Sequence, residues 1–281
     1  MQRRTNKTIS MAIGFGILMS SSTLAGPLTD RIAAGEAIRL GFSNEVPSAY
    51  TADDGKPTGW VNEITLGVLK KMGYEKIESV QTEWGGLVPG LSAGRFDIVT
   101  GGMYILAARC KAVTFSEPIY KMGDALLVPK GNPSGLVNYE NIRDKGVTMV
   151  TGAGYAMIAN AKGAGVDQSK IMEVPGPTEM LAAVQAGRAE VAAGTPVMLK
   201  QLADSSEGKL EVTDPEAMPK STFNWGALAF NKADQDFVEK FNVTLKEYLG
   251  SEEMMSAVKK YGYEKQWLPG EAKTDWICAN R

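Results

Sequence analysis

The feature that most constrains the fold is an alternation of strands and helices that begins a second time midway along the chain. Before the midpoint, strands are predicted at 38–42, 76–80 and 96–100. The Pro- and Gly-rich segment 129–135 then interrupts the pattern, and further strands are predicted at 147–150 and 171–174. Strands that alternate with helices are typical of α/β layers with largely parallel sheets. The sequence therefore predicts two α/β units.

A short internal repeat supports this division. Leu91–Asp97 runs from a helix end through Gly-Arg to an acidic residue that opens a strand, and Val184–Glu190 repeats that order from residue 184, 93 residues after residue 91. Two lobes built on one plan would produce such a repeat.

The chain has 281 residues, which is enough for two hydrophobic cores. Residues 26–128 with 226–281 are predicted to form lobe 1, and residues 129–225 to form lobe 2. The connections between the lobes, which could act as hinges, are expected near 129–133 and 221–226. Open α/β sheets bind ligands at the carboxyl ends of their strands, so we expect the site residues directly after strands, around one cleft.

Residues 1–25 are predicted to be a cleaved export signal. Arg3, Arg4 and Lys7 precede a short apolar stretch at 11–19, and small residues lead to Ala25, as signal peptidase requires. The apolar stretch is much shorter than the roughly 18–20 residues that span a bilayer. Since no cysteine follows the cleavage point, we expect an unlipidated periplasmic protein.

The composition excludes several kinds of chemistry. Histidine is absent, which removes Ser-His-Asp catalysis and histidine-ligated metal sites. Loss of the signal removes three basic residues, so that 30 becomes 27 against 32 acidic residues. A chain with net negative charge predicts no nucleic-acid partner. We also expect no cofactor.

The two cysteines, Cys110 and Cys278, are predicted to form a disulfide. Unpaired thiols are uncommon in an oxidising compartment. Such a bond would attach the C-terminal segment to the body of the protein.

The segment Pro89–Asp97, followed by Thr100–Tyr104, Arg109 and Phe115–Tyr120, resembles the hallmark stretch of the polar amino-acid family of type II periplasmic binding proteins. The resemblance implies two βα lobes around a ligand cleft, joined by two crossover strands. It also implies a monomeric binding component of an ABC importer, without enzyme activity, that delivers its ligand to a membrane permease. Arg109 would hold the ligand carboxylate with two parallel N–H donors.

Within that family the chain is similar to the ectoine- and hydroxyectoine-binding branch. The shared details are Asn44-Glu45-x-Pro47, Glu83-Trp84-Gly85, Tyr104 and the cysteine after the arginine. The resemblance implies that Trp84 and Tyr104 present aromatic faces to the delocalised ligand cation. Glu45 would accept hydrogen bonds from that cation.

Three positions depart from the pattern. Ser48 replaces a third aromatic residue, for which the nearby Tyr50 is expected to compensate. Tyr155 stands where the family has serine or threonine, and Thr195 where amino-acid binders have the aspartate that receives the ammonium group. Thr195 argues against a simple α-amino acid. The alternatives are a polar amino-acid-binding protein of the same family, or an exported cyclohexadienyl dehydratase-like enzyme with Glu45 as its general acid.

Overall fold

The structure is a computed structural model that describes residues 26–281. The predicted export signal at 1–25 lies outside these residues. The strands, in chain order, are β1 (Ile38–Phe42), β2 (Tyr50–Thr51), β3 (Pro57–Thr58), β4 (Ile77–Gln81), β5 (Ile98–Tyr104), β6 (Thr114–Phe115), β7 (Tyr120–Met122), β8 (Ala125–Pro129), β9 (Met149–Gly152), β10 (Ile171–Val174), β11 (Val191–Gly194), β12 (Leu210–Val212) and β13 (Asn224–Phe230).

The helices, in chain order, are α1 (Pro27–Ala33), α2 (Trp60–Lys71), α3 (Leu87–Ser92), α4 (Ala107–Cys110), α5 (Tyr139–Lys145), α6 (Ala156–Gly163), α7 (Pro177–Gln185), α8 (Pro196–Asp204), α9 (Gln235–Tyr248), α10 (Glu252–Val258) and α11 (Thr274–Asn280). Within residues 26–281, none of them has both the length and the apolar character needed to cross a bilayer.

The first sheet has the order β4-β1-β5-β13-β6, and β7 also pairs with β13. β1 runs parallel to β4 and β5, whereas β13 runs antiparallel to β5, β6 and β7. Every residue of β5 and β13 is buried, because helices and loops cover both faces of the sheet at its centre. α2 and α9 pack on this sheet, with Phe237, Phe241 and Leu245 at four-residue spacing on the buried side of α9.

The second sheet has the order β10-β9-β11-β8-β12. β9 runs parallel to β10 and β11, and β8 runs antiparallel to β11 and β12. Two sheets of alternating strands and helices, each with one antiparallel strand contributed from the far side of a crossover, confirm the predicted type II periplasmic-binding-protein fold.

The chain changes sheet twice. It leaves the first sheet after β7 and enters the second at β8, so the change falls at Gly123 and Asp124. The Pro- and Gly-rich segment 129–135 instead follows β8 as a turn, in which the Asn132 side chain bonds to both main-chain groups of Leu136. A tight turn and a lobe connection favour the same residue types. The return lies between β12 and β13. We propose that these two changes of sheet mark the lobe boundaries.

The C-terminal segment is attached to the body by a disulfide. Cys110 at the end of α4 is bonded to Cys278 in α11, with 5.9 Å between the two Cα atoms. α11 therefore lies directly beside α4.

Candidate functional site

A cavity lies where strands of both sheets end. All six residues predicted to bind a ligand line it: Glu45, Trp84, Tyr104, Arg109, Tyr155 and Thr195.

Each of these residues ends or follows a strand, as the fold requires of a ligand site. Glu45 comes after β1, Trp84 opens a single helical turn after β4, and Tyr104 ends β5. Tyr155 and Thr195 are the residues that precede α6 and α8, directly after β9 and β11. Lobe 1 therefore supplies both charged side chains of the cavity, and lobe 2 supplies neutral ones.

Glu45 is held by two hydroxyl donors on one oxygen. The Tyr155 Oη donates to Glu45 Oε1 at 2.6 Å, and the Ser43 Oγ donates to the same atom at 2.8 Å. Burial raises the pKa of Glu45, and the two hydrogen bonds act in the opposite direction. The bond from Tyr155 connects the two lobes across the cavity.

Arg109 is bonded to main-chain oxygens. Its Nη1 donates to the Tyr104 carbonyl at 2.9 Å and its Nη2 to the Gly154 carbonyl at 2.9 Å. No acidic side chain among residues 26–281 forms a salt bridge with it. Burial lowers the pKa of Arg109 to about 10, so the guanidinium stays charged at neutral pH. It is an unpaired cation in a cavity wall, which suits an anionic ligand group.

Aromatic rings cover much of the remaining wall. The Trp84 ring packs edge-on against Tyr155 with centroids 5.2 Å apart, and the Arg109 guanidinium lies 5.8 Å from its centroid. Trp84 Nε1 also donates to the Gly154 carbonyl at 3.3 Å. Tyr104 is buried, and its hydroxyl donates to the Met122 carbonyl at 3.3 Å.

Sequence reasoning missed two aromatic residues in the cavity. Trp60 lines the cavity as well as the core, and its indole Nε1 is buried without a hydrogen-bond partner among residues 26–281. Tyr120 packs edge-on against Trp60 with centroids 5.0 Å apart and donates its hydroxyl to the Gly102 carbonyl at 2.6 Å. The available signal for Tyr120 was its place at the end of the family stretch Phe115–Tyr120.

The prediction that Tyr50 compensates for Ser48 is wrong. Ser48 lines the cavity, but Tyr50 lies in the β2–β3 hairpin and points to Tyr261, with ring centroids 6.5 Å apart. The hairpin turns this side chain away from the cavity. Trp60 and Tyr120 provide the further aromatic faces instead.

The wall contributed by lobe 2 is largely apolar. Beyond Tyr155 and Thr195 it consists of Ala156, Met157, Val197 and Met198. Thr195 makes no capping bond to α8 with its side chain. An ammonium group facing this wall would find no carboxylate.

Residues 38–264 match the family described as bacterial extracellular solute-binding proteins, family 3. The chain belongs to that family. A relative, the probable amino-acid ABC transporter periplasmic-binding protein y4tE of Sinorhizobium fredii, is 33% identical over 271 residues, which cover 94% of this chain and 90% of the relative.

Two solved structures resemble this family 3 solute-binding protein along most of its length. The crystal structure of EhuB in complex with hydroxyectoine has a TM-score of 0.80 and 26% identity, and covers 90% of this chain and 98% of EhuB. The ancestral amino acid-binding protein AncCDT-1, a precursor of cyclohexadienyl dehydratase, has a TM-score of 0.72 and 25% identity, and covers 83% of this chain and 99% of that protein.

Proposed function

We propose that the protein is the periplasmic binding component of an ABC importer and captures a small zwitterion of the ectoine or hydroxyectoine kind for delivery to a membrane permease. The observation that carries the proposal is the presence of one unpaired cation, Arg109, and one carboxylate, Glu45, in a cavity whose other side chains are aromatic or apolar except for two hydroxyls. The family, the relative named as an ABC transporter binding protein and the hydroxyectoine complex of EhuB support it.

The cavity fits a carboxylate at one end of the ligand. A guanidinium has five N–H donors, of which Arg109 uses two on carbonyl oxygens. A carboxylate could take the remaining donors and compete for the one on Gly154, because a bond between two charged groups is stronger than a bond to a neutral carbonyl. A neutral ligand oxygen would have no such advantage.

The cavity also fits a diffuse cation at the other end. Glu45 Oε1 already accepts two hydrogen bonds, which leaves Oε2 for a ligand N–H. The rings of Trp84 and Tyr104 attract a delocalised positive charge through their negative faces. The apolar wall of lobe 2 suits ring methylenes or methyl groups better than a primary ammonium, which would lose hydration without gaining a partner.

Calorimetry of the chain 26–281 tests the proposal with ectoine, hydroxyectoine, glycine betaine and polar amino acids. We expect an ectoine-type zwitterion to bind with Kd well below about 1 mM, which corresponds to roughly −4 kcal/mol. Arg109→Ala should abolish that binding, whereas Arg188→Ala, an exposed arginine of lobe 2, should not change it. Tight binding of an amino acid, with none of ectoine, would favour a polar amino-acid importer of the same family.

An exported dehydratase is the second candidate. Burial raises the pKa of Glu45, as a general acid requires, and AncCDT-1 is a precursor of such an enzyme. Incubation with prephenate and with arogenate distinguishes the two functions. Turnover that is lost in Glu45→Gln would establish an enzyme, whereas zwitterion binding without turnover supports the binding protein.

A further inference from the structure

Arg109 lies in a helix that is too short to be stable by itself. α4 has 4 residues, and Leu106 before it makes no side-chain cap bond. Helices below about 12 residues are marginal in water without tertiary contacts. The position of the Arg109 guanidinium therefore depends on what packs against α4.

The C-terminal helix α11 makes these contacts through its apolar side. Ile277 is fully buried in one cluster with Ile105, two residues before α4, and Val113, three residues after it. This contact fixes the backbone before and after Arg109 against α11.

Two further bonds hold α4 to the same element. The Ala107 N–H donates to the main-chain oxygen of Arg281 at 2.8 Å. The disulfide joins Cys110, the residue next to Arg109, to Cys278. Three kinds of contact thus act on a single turn of helix.

α11 is in turn fixed to the rest of lobe 1 and to the returning connection. The Thr274 Oγ1 donates to the Ser116 carbonyl at 2.6 Å. The Arg281 guanidinium lies 5.3 Å from the Trp225 ring centroid, and its Nη1 donates to the Ser221 carbonyl at 3.2 Å. Because α11 is anchored at both ends, it can hold α4 in one orientation.

We propose that α11 and the Cys110–Cys278 disulfide are a positioning element for Arg109, and that recognition of the ligand carboxylate depends on this bond. Without it, α4 samples other orientations and the guanidinium spends less time where it meets the carboxylate. Glu45 and Trp84 are held by other elements and keep their positions. The ligand-binding test of this inference rests on the proposed function. The test by hydrogen exchange does not.

The test uses the double variant Cys110→Ser/Cys278→Ser of the chain 26–281. Amide hydrogen exchange without ligand is compared for residues 104–113 and for α6 in lobe 2. We expect exchange in 104–113 to rise about tenfold or more and exchange in α6 to stay within about twofold. Asp275→Ala changes an exposed residue of α11 but keeps the disulfide and Ile277, so it should match the wild type.

The second readout is the preference for ectoine over its methyl ester, which keeps the cationic ring but lacks the carboxylate charge. Loss of the disulfide should reduce this preference about tenfold or more, about 1.4 kcal/mol, since only the acid uses Arg109. Unchanged exchange in 104–113, an equal rise in α6, or an equal loss of affinity for acid and ester would overturn the inference. If ectoine does not bind to the wild type, the ligand named above is wrong and the exchange measurement alone decides.

Discussion

The hydrogen bond between Tyr155 and Glu45 gives the sharpest prediction about closure of the cleft. Tyr155→Phe removes one hydroxyl and leaves the ring in place against Trp84. Glu45 Oε1 then keeps only the bond from Ser43. Because Glu45 belongs to the lobe of the first sheet and Tyr155 to that of the second, the lost bond exists only when the lobes meet.

The expected magnitude follows from the charge of the acceptor. A hydrogen bond to an ionised group contributes about 1.5–3 kcal/mol, and Tyr155 is only 8% exposed, so solvent does not replace it in the closed form. The ratio of closed to open protein should fall by about 13- to 160-fold. The affinity of a ligand that binds between closed lobes should fall by up to the same factor.

Two measurements check this. Small-angle scattering of the variant without ligand should show a larger radius of gyration than the wild type, and calorimetry with the tightest-binding zwitterion should show the loss of affinity. Tyr50→Phe is the matched control, because Tyr50 lies outside the cavity and packs against Tyr261. It should behave as the wild type in both.

The pH dependence provides a third check. Burial raises the pKa of Glu45, and the Tyr155 bond partly offsets this, so the variant should have a still higher Glu45 pKa. Glu45 loses its charge as the pH falls through that value, and a neutral Glu45 cannot pair with a cation. Affinity should therefore begin to fall at a higher pH in the variant. Identical scattering, affinity and pH profile in variant and wild type would refute the reasoning.

Three further predictions concern single carboxylates. Burial acts to raise the pKa of Asp97, but bonds from Arg39 and Arg31 outweigh it and leave that pKa lowered. The stabilisation is present above pH 4 and disappears as the pH falls through the lowered value, so Asp97→Asn should cost about 3 kcal/mol in thermal unfolding at pH 7 and progressively less as the pH falls through the lowered pKa. Burial raises the pKa of Asp124 to about 6. The wild type should therefore lose stability as the pH rises from 4 to 6, because the buried carboxyl group becomes charged. Asp124→Asn should remove about 3 kcal/mol of that pH dependence in urea unfolding. Thr195→Asp supplies the missing acid of lobe 2, and calorimetry should show preference for a primary α-ammonium over ectoine increased about tenfold or more.

Much of the fold could be predicted because periodicity reports local structure. The strand expected at 38–42 is β1, and that at 171–174 is β10. The change of sheet at Gly123 and Asp124 has no such signal, because Pro and Gly mark any sharp turn and the turn after β8 contains more of them. Composition identifies a turn but not the sheet to which the next strand belongs.

The cavity residues could be predicted where they follow strands or match the family stretch. Trp60 could not be predicted as a cavity residue, because it opens a helix whose buried face also carries ordinary core residues. A core residue and a cavity residue on that face have the same spacing in the sequence. Tyr50 was expected near the cavity but lies outside it. It is close to Ser48 in sequence, but the direction of a hairpin side chain depends on pairing with β3, which proximity does not specify.

The same loop of lobe 2 contacts three predicted ligand residues of lobe 1. Gly154 accepts hydrogen bonds from both Arg109 and Trp84, and Tyr155 donates to Glu45. A ligand therefore gains affinity only by the amount by which its bonds exceed those that the lobes make with each other. A neutral oxygen on Arg109 would replace a carbonyl by an equivalent acceptor and gain little, whereas a carboxylate adds attraction between opposite charges. On the proposed function, selection for a carboxylate arises from competition with the Gly154 carbonyl. Deleting residues of the loop 152–155 should therefore weaken the discrimination between acids and their neutral analogues, measured by calorimetry, more than it weakens binding of the neutral analogues.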